Sequence, residues 1–392
     1  MKNKRKLALF TGNRAEYGLF YPILKHISQD NRFNYELIVS GAHLKDNFGN
    51  TLEEIKKDGF EITELVEIET ADDTLTGTTK GISSSLYGVA KALSRIKPDF
   101  FIVYADRFES FGALIASTQM GIPTAHIEGG DYTEGGALDD SVRHAMTKLA
   151  HIHFTTNEPA SERVLKLGEE PWRVYNVGSP SLDVIKNKVY ATEEEVFERL
   201  LLVEGKPLII FTQHSITLDW EKAREQILPS LAALRHAVEV LNAQVIITYP
   251  NDDAGAQVII EEIESLADLG HPNIIIRKSL GRYLYHGVLA VSRLYLGNSS
   301  SGIKETAALN CPCLNIGDRQ KGRLRPGNVI ELDYNKEQII SEMRKIIQDD
   351  TYYDQIRNAD NPYGSGNAGQ QIADVLASIP LDDKVLKKKM TY

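Results

Sequence analysis

The sequence predicts an α/β protein with two doubly wound domains, each a parallel β-sheet covered by helices on both faces. Three observations support this fold class. The chain has 392 residues, 42% of them hydrophobic, which is enough for two cores of ordinary size. Short β-branched runs alternate with segments of helical periodicity, which is the pattern of βαβ units. This alternation is interrupted near residues 180 to 205 and then begins again.

The first half of the chain begins with an apolar strand pattern at residues 7–10, followed by a helix. The apolar positions of that helix recur at helical spacing and are Leu19, Phe20, Ile23, Leu24 and Ile27. Further strands are predicted at "YELIVS", "FFIVY" and "IPTAHI", each followed by a loop and a helix. Runs this apolar are typical of strands buried on both faces of a parallel sheet.

The second half follows "YNVGSP" (residues 175–180) and begins with an acidic helix at "ATEEEVFERL". Strand patterns then recur at "PLIIFTQH", "AQVIITYPN", "NIIIRKS", "RLYLGNSSSG" and "CPCLNIGD", and "AGQQIADVLASI" predicts a last helix over about residues 368–380. We therefore place the first domain at residues 1–180 and the second at 181–367. The terminal "KVLKKKM" is predicted to be a solvated, frayed end.

Composition restricts the class of partner. The formal net charge of −10 argues against general affinity for nucleic acid or for an anionic membrane. The apolar run at residues 7–10 is too short for a signal-peptide core, and no apolar segment has the length of a membrane span. We expect a cytoplasmic homodimer or higher homo-oligomer with a small-molecule partner. Cys311 and Cys313 are predicted to be buried small side chains and not a redox pair.

Polar and charged residues follow most of the predicted strands. In doubly wound sheets a ligand binds beyond the carboxyl ends of the strands, so these residues are the candidates for a site. In the first half they are Arg14 in "TGNRAEYG", Asp106 and Arg107 in "ADRFE", and the acidic stretch that runs from Glu128 to Asp139. In the second half they are His214, Asn251, and the loops "GNSSSGIKE" and "IGDRQKGR".

The loop "LGNSSSGIKE" is the strongest local signal for phosphate. A strand is predicted to end at Leu296, and residues 297–302 present serine hydroxyls and backbone N–H groups at a helix that begins near Ile303. Serines also serve as plain helix N-caps, so the pattern alone leaves both interpretations open. Glu305 is poorly placed for phosphate but well placed for sugar hydroxyls. Together these features indicate the pyrophosphate and ribose of a nucleotide.

Two other patterns carry less weight. Gly364, Gly366 and Gly369 match the dinucleotide-binding spacing, but no strand precedes them, so we interpret them as the entry to the last helix. His151 and His153 share a predicted strand face without a cysteine or carboxylate at a ligand spacing. A structural role is predicted for both histidines, and no metal site is predicted in the chain.

A series of motifs extends in order from residue 11 to residue 368: "TGNRAEYG", "ADRFE", "HIEGG", "LDDSVRHAMTKLAHIHF", "GSPSLD", "YPNDDAG", "GNSSSGIKE", "NIGDRQKGR" and "NPYGSGNA". This series resembles the hydrolysing UDP-N-acetylglucosamine 2-epimerase family of sialic and legionaminic acid precursor synthesis. The resemblance implies the GT-B architecture, with two Rossmann-like domains, an active site in the cleft between them and a last helix that packs back on the first domain.

The resemblance also implies a reaction without metal or cofactor. UDP leaves UDP-N-acetylglucosamine as the proton at carbon 2 is removed, and water adds to the resulting glycal to give N-acetylmannosamine. Crowded carboxylates suit this reaction because a weakly acidic carbon-bound proton needs a base while other groups assist the leaving diphosphate and the water.

The resemblance assigns roles by position. Asp106, Glu128 and Asp139 match the family's acid/base residues, and His214 matches the histidine that faces the leaving group. The substrate-binding set comprises Arg14, Arg107, Asn251, Ser299, Ser300, Glu305, Arg319 and Arg323. In addition, Arg143 is predicted to anchor the acidic loop by pairing with a carboxylate.

The sequence departs from the family pattern at Asn13, usually threonine or serine, at Tyr104 and Ala105 before Asp106, and in a slightly longer loop at residues 129–140. The sugar therefore stays open between UDP-N-acetylglucosamine, favoured by the polar loops at residues 41–50 and 129–140, and a UDP-N,N'-diacetylbacillosamine. Two more distant alternatives share the UDP site. A GT-B glycosyltransferase needs no base for a carbon-bound proton, and a non-catalytic UDP-sugar sensor would tolerate loss of Asp106 or Asp139.

Overall fold

The computed structural model describes residues 4–44, 51–69, 74–133, 138–251, 253–268 and 270–392. The chain divides into two compact units. The first comprises Met1–Tyr132, Leu138–Val184 and Tyr363–Tyr392, and the second consists mainly of Ile185–Pro362. The boundary falls inside a short helix, α7 (Ser181–Lys186).

The described strands of the first unit form one parallel sheet in the order β3-β2-β1-β4-β5-β6-β7. They are β1 (Arg5–Thr11), β2 (Phe33–Ser40), β3 (Glu64–Val66), β4 (Phe100–Tyr104), β5 (Thr124–Ile127), β6 (Ile152–Thr155) and β7 (Val174–Asn176). The helices are α1 (Arg14–Gln29), α2 (Thr51–Lys57), α3 (Leu75–Ile96), α4 (Phe108–Gln119), α5 (Leu138–Leu149), α6 (Glu158–Lys166), α15 (Ala368–Ser378) and α16 (Asp383–Leu386). The strand order reverses between β1 and β4, which makes their carboxyl ends the expected ligand position.

The core of the first unit lies around its two central strands. Every residue of β4 is fully buried, and so is the apolar run at residues 7–10 of β1, because helices cover both faces of the sheet. Phe101 packs against Phe10 with ring centroids 6.5 Å apart. Replacing a buried phenylalanine of this kind by alanine costs about 3–5 kcal/mol. This packing fixes the positions at which β1 and β4 end.

The described strands of the second unit also form a parallel sheet, in the order β10-β9-β8-β11-β12-β13. They are β8 (Leu208–Thr212), β9 (Gln244–Thr248), β10 (Ile274–Arg277), β11 (Leu294–Gly297), β12 (Cys313–Ile316) and β13 (Val329–Leu332). The helices are α8 (Glu193–Leu200), α9 (Ala223–Val240), α10 (Ala256–Ala267), α11 (Gly281–Val291), α12 (Ser300–Lys304), α13 (Lys336–Gln348) and α14 (Asp350–Arg357). The order reverses between β8 and β11. The predicted α/β fold with two doubly wound sheets is confirmed.

The last long helix, α15, packs on α1 within the first unit. The carboxylate of Asp183 accepts hydrogen bonds from the backbone N–H groups of Ala368 (2.8 Å) and Gly369 (2.7 Å) and so satisfies two donors at the helix N-terminus. A Cβ atom at Gly369 would lie 2.9 Å from the carbonyl oxygen of Pro22, so glycine permits the close approach of the two helices. The glycine-rich entry to the last helix is thus confirmed.

The chain end is ordered, and the prediction of a frayed terminus is wrong. Arg173 is fully buried and donates to the carbonyl oxygens of Val385 (2.7 Å) and Lys384 (2.8 Å). The ammonium group of Lys388 lies 2.7 Å from a carboxylate oxygen of the buried Glu169. Because these partners lie more than 200 positions earlier in the chain, the local basic composition of the tail does not indicate them.

Two further sequence features can be compared with the structure. Cys311 and Cys313 are buried free thiols, as predicted, and burial raises the pKa of Cys311 to about 12. Within the described ranges, no helix combines the length and apolar character needed to cross a bilayer.

Candidate active site

The loop after β1 presents Arg14 at the carboxyl edge of the first sheet. Asn13 is the N-cap of α1, and its side-chain oxygen accepts a hydrogen bond from the N–H of Glu16 at 3.0 Å. Arg14 is therefore the first residue of the helix, and its side chain is half-buried. The sequence-predicted position of Arg14 after β1 is confirmed.

A buried carboxyl group lies beneath this loop. One oxygen of Glu16 accepts a hydrogen bond from the N–H of Gly12 (2.5 Å), and the other lies 2.5 Å from the hydroxyl of Ser110 in α4. Burial raises the pKa of Glu16 to about 8, although both hydrogen bonds act in the opposite direction. Glu16 thus ties the Arg14 loop to α4 through a carboxyl group that burial keeps largely protonated at neutral pH.

Asp106 and Arg107 follow β4. Ala105 has a left-handed backbone with φ of 53°, and the chain then turns into α4. Asp106 accepts a hydrogen bond from Nη2 of Arg143. The guanidinium group of Arg107 lies 3.2 Å from the carboxylate of the fully buried Glu109, so part of its donor capacity is used inside the first unit.

Glu128 follows β5, the neighbour of β4. The register pairs Tyr104 with Ile127, so Asp106 and Glu128 leave adjacent strands at the same edge of the sheet. Glu128 is buried, has a left-handed φ of 68°, and donates its backbone N–H to the carbonyl of Phe154 at 2.8 Å. A non-glycine residue held at positive φ within a buried edge marks a position that the surrounding structure constrains strongly.

The buried His126 supports this edge from below. Its Nε2 atom lies 2.6 Å from the carbonyl oxygen of Ala105, and its Nδ1 atom lies 3.2 Å from the hydroxyl of Thr147 in α5. Burial lowers the pKa of His126 to about 3, so the ring is neutral at physiological pH. His126 therefore joins the loop after β4 to α5 by uncharged hydrogen bonds.

Helix α5 carries Asp139 in its first turn, and Arg143 lies one turn further on. Arg143 is 1% exposed and donates to Asp140 Oδ1 (2.8 Å) and to the carbonyl of Asp131 (3.1 Å), in addition to Asp106. The prediction that Arg143 anchors the acidic segment is confirmed. Asp139 is partly exposed, and the neighbouring residues 134–137 lie outside the described part of the chain.

In the second unit, His214 follows β8 and is buried. Its Nδ1 atom accepts a hydrogen bond from the backbone N–H of Asn251, which lies beyond the end of β9, at 3.1 Å. A neutral histidine whose Nδ1 accepts carries its proton on Nε2. The two predicted residues His214 and Asn251 are thus brought together.

The loop at residues 298–302, called the serine loop below, follows β11. Ser299, not a residue near Ile303, is the helix N-cap, and α12 begins at Ser300 because Ser299 has an extended backbone and accepts from the N–H of Ser301. The predicted helix start was therefore about three residues late. The helix itself is short, Ser300–Lys304, and a 3-10 segment, Thr306–Leu309, follows it.

Glu305 is held from two sides. The hydroxyl of Ser301 donates to Glu305 Oε2 at 2.5 Å, and Nε2 of His286 lies 3.3 Å from the same oxygen. The phenol of Tyr285 in turn donates to Ser301 at 2.9 Å. Glu305 is buried, so its carboxylate has a fixed position directly after the serine loop.

Arg319 and Arg323 follow β12. Nη1 of Arg319 donates to the carbonyl oxygen of Asn298 at 3.2 Å, and the amide of Gln320 donates to the same oxygen at 2.9 Å. Arg323 is buried, and its backbone N–H donates to the carbonyl of Gln320 at 3.2 Å. Sequence reasoning missed Asn298 and Gln320. Their only signal was a place inside loops that follow strands.

His151 and His153 have the structural role that was predicted. Nε2 of His153 lies 2.9 Å from a carboxylate oxygen of Glu169, with both side chains fully buried, and His151 Nδ1 accepts from the N–H of Thr124 at 3.0 Å. In the described residues, no three His, Cys, Asp or Glu side chains are grouped so that they could hold a metal ion.

Comparison with known proteins identifies the family. The family model described as UDP-N-acetylglucosamine 2-epimerase matches residues 25–377. The chain belongs to the UDP-N-acetylglucosamine 2-epimerase family. The resemblance seen in the sequence motifs is thereby confirmed.

Two curated relatives are similar to this chain over most of their length. A UDP-N,N'-diacetylbacillosamine 2-epimerase (hydrolyzing) of Legionella pneumophila is 32% identical, covering 99% of this chain and 100% of the relative. A GDP/UDP-N,N'-diacetylbacillosamine 2-epimerase (hydrolyzing) of Campylobacter jejuni is 34% identical, covering 85% of each chain.

Solved structures support the fold. A UDP-N-acetylglucosamine 2-epimerase of Listeria monocytogenes has a TM-score of 0.80 at 20% identity, with 95% of each chain covered. The Neisseria meningitidis UDP-GlcNAc 2-epimerase bound to UDP-GlcNAc has a TM-score of 0.79 at 18% identity, with 95% of this chain and 99% of the other covered. The predicted GT-B fold class, with its two Rossmann-like domains, is therefore confirmed.

Proposed function

We propose that this protein is a hydrolysing 2-epimerase that converts a UDP-linked 2-acetamido sugar and water to UDP and the free 2-epimeric sugar. The observation that carries the proposal is the arrangement of Asp106 and Glu128 at one sheet edge, where Arg143 joins Asp106 to the helix that bears Asp139. Because the chain belongs to the 2-epimerase family, we assign acid/base roles to these carboxyl groups.

The proposed reaction balances in two steps. A carboxylate of the first unit removes the proton at carbon 2, the electron pair forms the double bond between carbons 1 and 2, and the bond from carbon 1 to UDP breaks. Water then adds its oxygen to carbon 1 while an acid returns a proton to the opposite face of carbon 2. Asp106, Glu128 and Asp139 are the proposed acid/base groups, since carboxyl groups in different surroundings can hold different protonation states.

The second unit is proposed to bind UDP and to assist its departure. His214 carries its proton on Nε2 when neutral and would donate that proton, or a hydrogen bond, to the leaving diphosphate. Ser299, Ser300, Arg319 and Arg323 are the proposed diphosphate contacts, with Glu305 on the ribose, Asn251 beside His214, and Arg14 and Arg107 on the substrate from the first unit. UDP-GlcNAc in the Neisseria meningitidis homologue supports a UDP-sugar here.

For the sugar we propose UDP-N,N'-diacetylbacillosamine. The similar curated relatives carry that substrate in their names at 32% and 34% identity, which supports it over the N-acetylglucosamine that the polar loops favour. UDP-N-acetylglucosamine is the second candidate, supported by the polar character of residues 41–50 and 129–140. Residues 45–50 and 134–137 of these loops lie outside the described part of the chain.

The reaction type is tested in heavy water without added metal or nicotinamide. We expect UDP and a sugar of inverted configuration at carbon 2 that carries deuterium at that carbon, as read by NMR. A product with retained configuration and no deuterium would indicate simple hydrolysis or transfer and would reject the proposal.

The substrate is tested separately by measuring kcat/KM for the two UDP sugars with one enzyme preparation. The bacillosamine derivative has a methyl group at carbon 5 and an acetamido group at carbon 4, and a site built for one pattern of hydrogen bonds rejects the other strongly. We expect a preference of about tenfold or more for the diacetamido sugar. A preference of about tenfold or more for UDP-N-acetylglucosamine would reverse the substrate assignment and leave the reaction type intact.

A further inference from the structure

Asn298 occupies a junction between three loops of the second unit. It follows Gly297, whose φ of 142° brings the backbone against β8, where an added Cβ atom would lie 1.9 Å from the carbonyl oxygen of Thr212. The N–H of Asn298 donates to that same oxygen at 3.1 Å. Because of this close approach, the fully buried side chain of Asn298 lies along the segment that follows β8.

The side chain and the backbone of Asn298 have different partners. Oδ1 accepts a hydrogen bond from the N–H of His214 at 2.7 Å, and Nδ2 donates to the carbonyl oxygen of His214 at 2.9 Å. The carbonyl oxygen of Asn298 accepts from Arg319 at 3.2 Å and from Gln320 at 2.9 Å. The next residue, Ser299, is the N-cap of helix α12.

We propose that Asn298 is a positioning residue that sets the orientation of His214 through its side chain and of Arg319 through its carbonyl group. The inference rests on the proposed function, in which His214 and Arg319 both serve the leaving diphosphate. In addition, we infer that Asn298, as their common partner, holds the loops after β8, β11 and β12 in place before the substrate binds.

The chemistry of this position requires an amide. The backbone of His214 presents one donor and one acceptor, and an asparagine side chain offers the complementary acceptor and donor in one plane. An aspartate has the same shape but would place an acceptor opposite the carbonyl oxygen of His214. An alanine would leave both backbone groups without this partner in a buried place, which is costly.

The orientation of the His214 ring depends on the same backbone. Asn251 donates its N–H to Nδ1 of His214, so a shift of the His214 backbone would lengthen that hydrogen bond. The ring would then lose its preference for the form protonated on Nε2. Asn298 thus affects His214, the proposed proton donor, indirectly and without contacting the substrate.

The first test is a double-mutant cycle on turnover of the UDP-diacetamido sugar. We expect Asn298→Ala and Asn298→Asp to lower kcat about 30-fold each, and Asn298→Ala combined with His214→Ala to be no slower than His214→Ala alone, because groups that act as a unit are not additive. Additive losses would show that Asn298 acts independently of His214 and would overturn the inference.

The second test needs no turnover, so it separates this inference from the proposed function. The ¹⁵N NMR shifts of the His214 ring should report the Nε2-protonated tautomer in the wild-type protein and a mixture in Asn298→Asp. Asn298→Ala keeps the carbonyl group that accepts from Arg319 but removes the side-chain hydrogen bonds that hold this loop to His214. Because the carbonyl group would then no longer be held in place, calorimetry with UDP should show that Asn298→Ala and Arg319→Ala each weaken binding about fivefold and that the double variant is about equal to Arg319→Ala. Unchanged ring shifts together with additive UDP losses would reject the role of Asn298 even if the enzyme is active.

Asn328 provides a matched control. It is a fully buried asparagine of the same unit whose amide donates to the carbonyl of Cys311 (2.7 Å) and to the hydroxyl of Thr306 (2.9 Å). Asn328→Asp should lower stability to a similar extent but leave the His214 ring shifts unchanged and kcat within about threefold. If it reproduced the effects of Asn298→Asp, those effects would reflect general destabilisation and the inference would fail.

Discussion

Arg143 of α5 donates a hydrogen bond through Nη2 to Oδ2 of Asp106, the carboxylate that follows β4. The guanidinium group is 1% exposed, whereas the side chain of Asp106 is 18% exposed, so a buried cation holds a carboxylate that solvent can still reach. The same guanidinium group binds Asp140 in its own helix. This arrangement joins the acid in the loop after β4 to the helix that bears Asp139.

Replacing Arg143 should therefore affect both stability and turnover. Arg143→Met leaves Asp106 and Asp140 without their shared cation, and breaking a buried pair of this kind costs about 3–5 kcal/mol. We expect that loss in urea unfolding, together with a fall in kcat of about tenfold or more because Asp106 is no longer held in place. Unchanged kcat in a folded Arg143→Met protein would contradict the positioning role. Arg95→Met, which removes an exposed ion pair with Glu64 in the same unit, is the control and should leave kcat unchanged.

The acid/base residues should be separable from UDP binding. Asp106→Asn, Glu128→Gln and Asp139→Asn should each reduce turnover about a hundredfold or more, because general acid/base groups act in the transition state. Calorimetry should show UDP affinity close to that of the wild type. Glu162→Gln, a solvent-exposed acid of α6, should change neither quantity. Carboxylate variants that lose UDP affinity but keep kcat at saturation would refute the assignment.

Glu305 should act on the nucleoside and not on the phosphates. Glu305→Ala removes a buried carboxylate that Ser301 and His286 hold in place, and loss of a hydrogen bond to a charged group costs about 1.5–3 kcal/mol. We expect UDP binding to weaken about tenfold or more by calorimetry, with pyrophosphate binding nearly unchanged. Equal losses for UDP and pyrophosphate would place Glu305 at the phosphates instead.

The sequence predicted the strands and their loops well because a parallel sheet buried on both faces leaves a strong local pattern. β4 is buried at every position, and Asp106 is the second residue after it, so the candidate could be found from the pattern alone. The hydrogen-bond partners of such residues cannot be found from a local pattern. Asn298 and His214 are 84 positions apart, and their hydrogen bonds follow from the pairing of β8 with β11, which no local pattern encodes.

The same reason explains the errors. The helix start near Ile303 was placed too late because three consecutive serines can all serve as caps, and only the backbone shows that Ser299 does so. The protonation state of Glu16 was also not predicted, because its burial depends on α4, whose Ser110 contacts Glu16 from 94 positions further along the chain.

Glu16 should make stability depend on pH. Burial raises its pKa to about 8 from the ordinary 4.5, so the folded protein binds this proton more tightly than the unfolded chain does. The contribution of the protonated Glu16 to the free energy of unfolding is fully present below about pH 4.5 and is lost as the pH rises through about 8.

The variant Glu16→Gln tests this pH dependence, because it keeps an acceptor for the N–H of Gly12 and removes the titrating carboxyl group. In urea unfolding, the stability of the variant relative to wild type should rise from pH 5 to pH 8 by an amount on the order of 3 kcal/mol. A difference independent of pH would show that Glu16 is ionised in the folded state.

The C-terminal segment should stabilise the first unit without contributing to nucleotide binding. Glu169 is fully buried and lies 2.6 Å from Lys148, 2.9 Å from His153 and 2.7 Å from Lys388. Burial alone would raise the pKa of Glu169, but the hydrogen bonds from these partners lower it to about 2, so the group is a buried anion that needs them. Lys388→Met should therefore lower the free energy of unfolding by about 3 kcal/mol.

The double variant Lys388→Met/Glu169→Gln separates this ion pair from packing. Removing the anion as well leaves no fully buried charge without a partner, because Lys148, which also loses Glu169, is 33% exposed to solvent. The double variant should therefore be more stable than Lys388→Met alone, although it carries one more substitution. UDP affinity should stay within about twofold of wild type in both proteins, since His214, Glu305 and the serine loop belong to the second unit. If the second substitution only added to the loss, Lys388 would stabilise the fold through its aliphatic chain and not through Glu169.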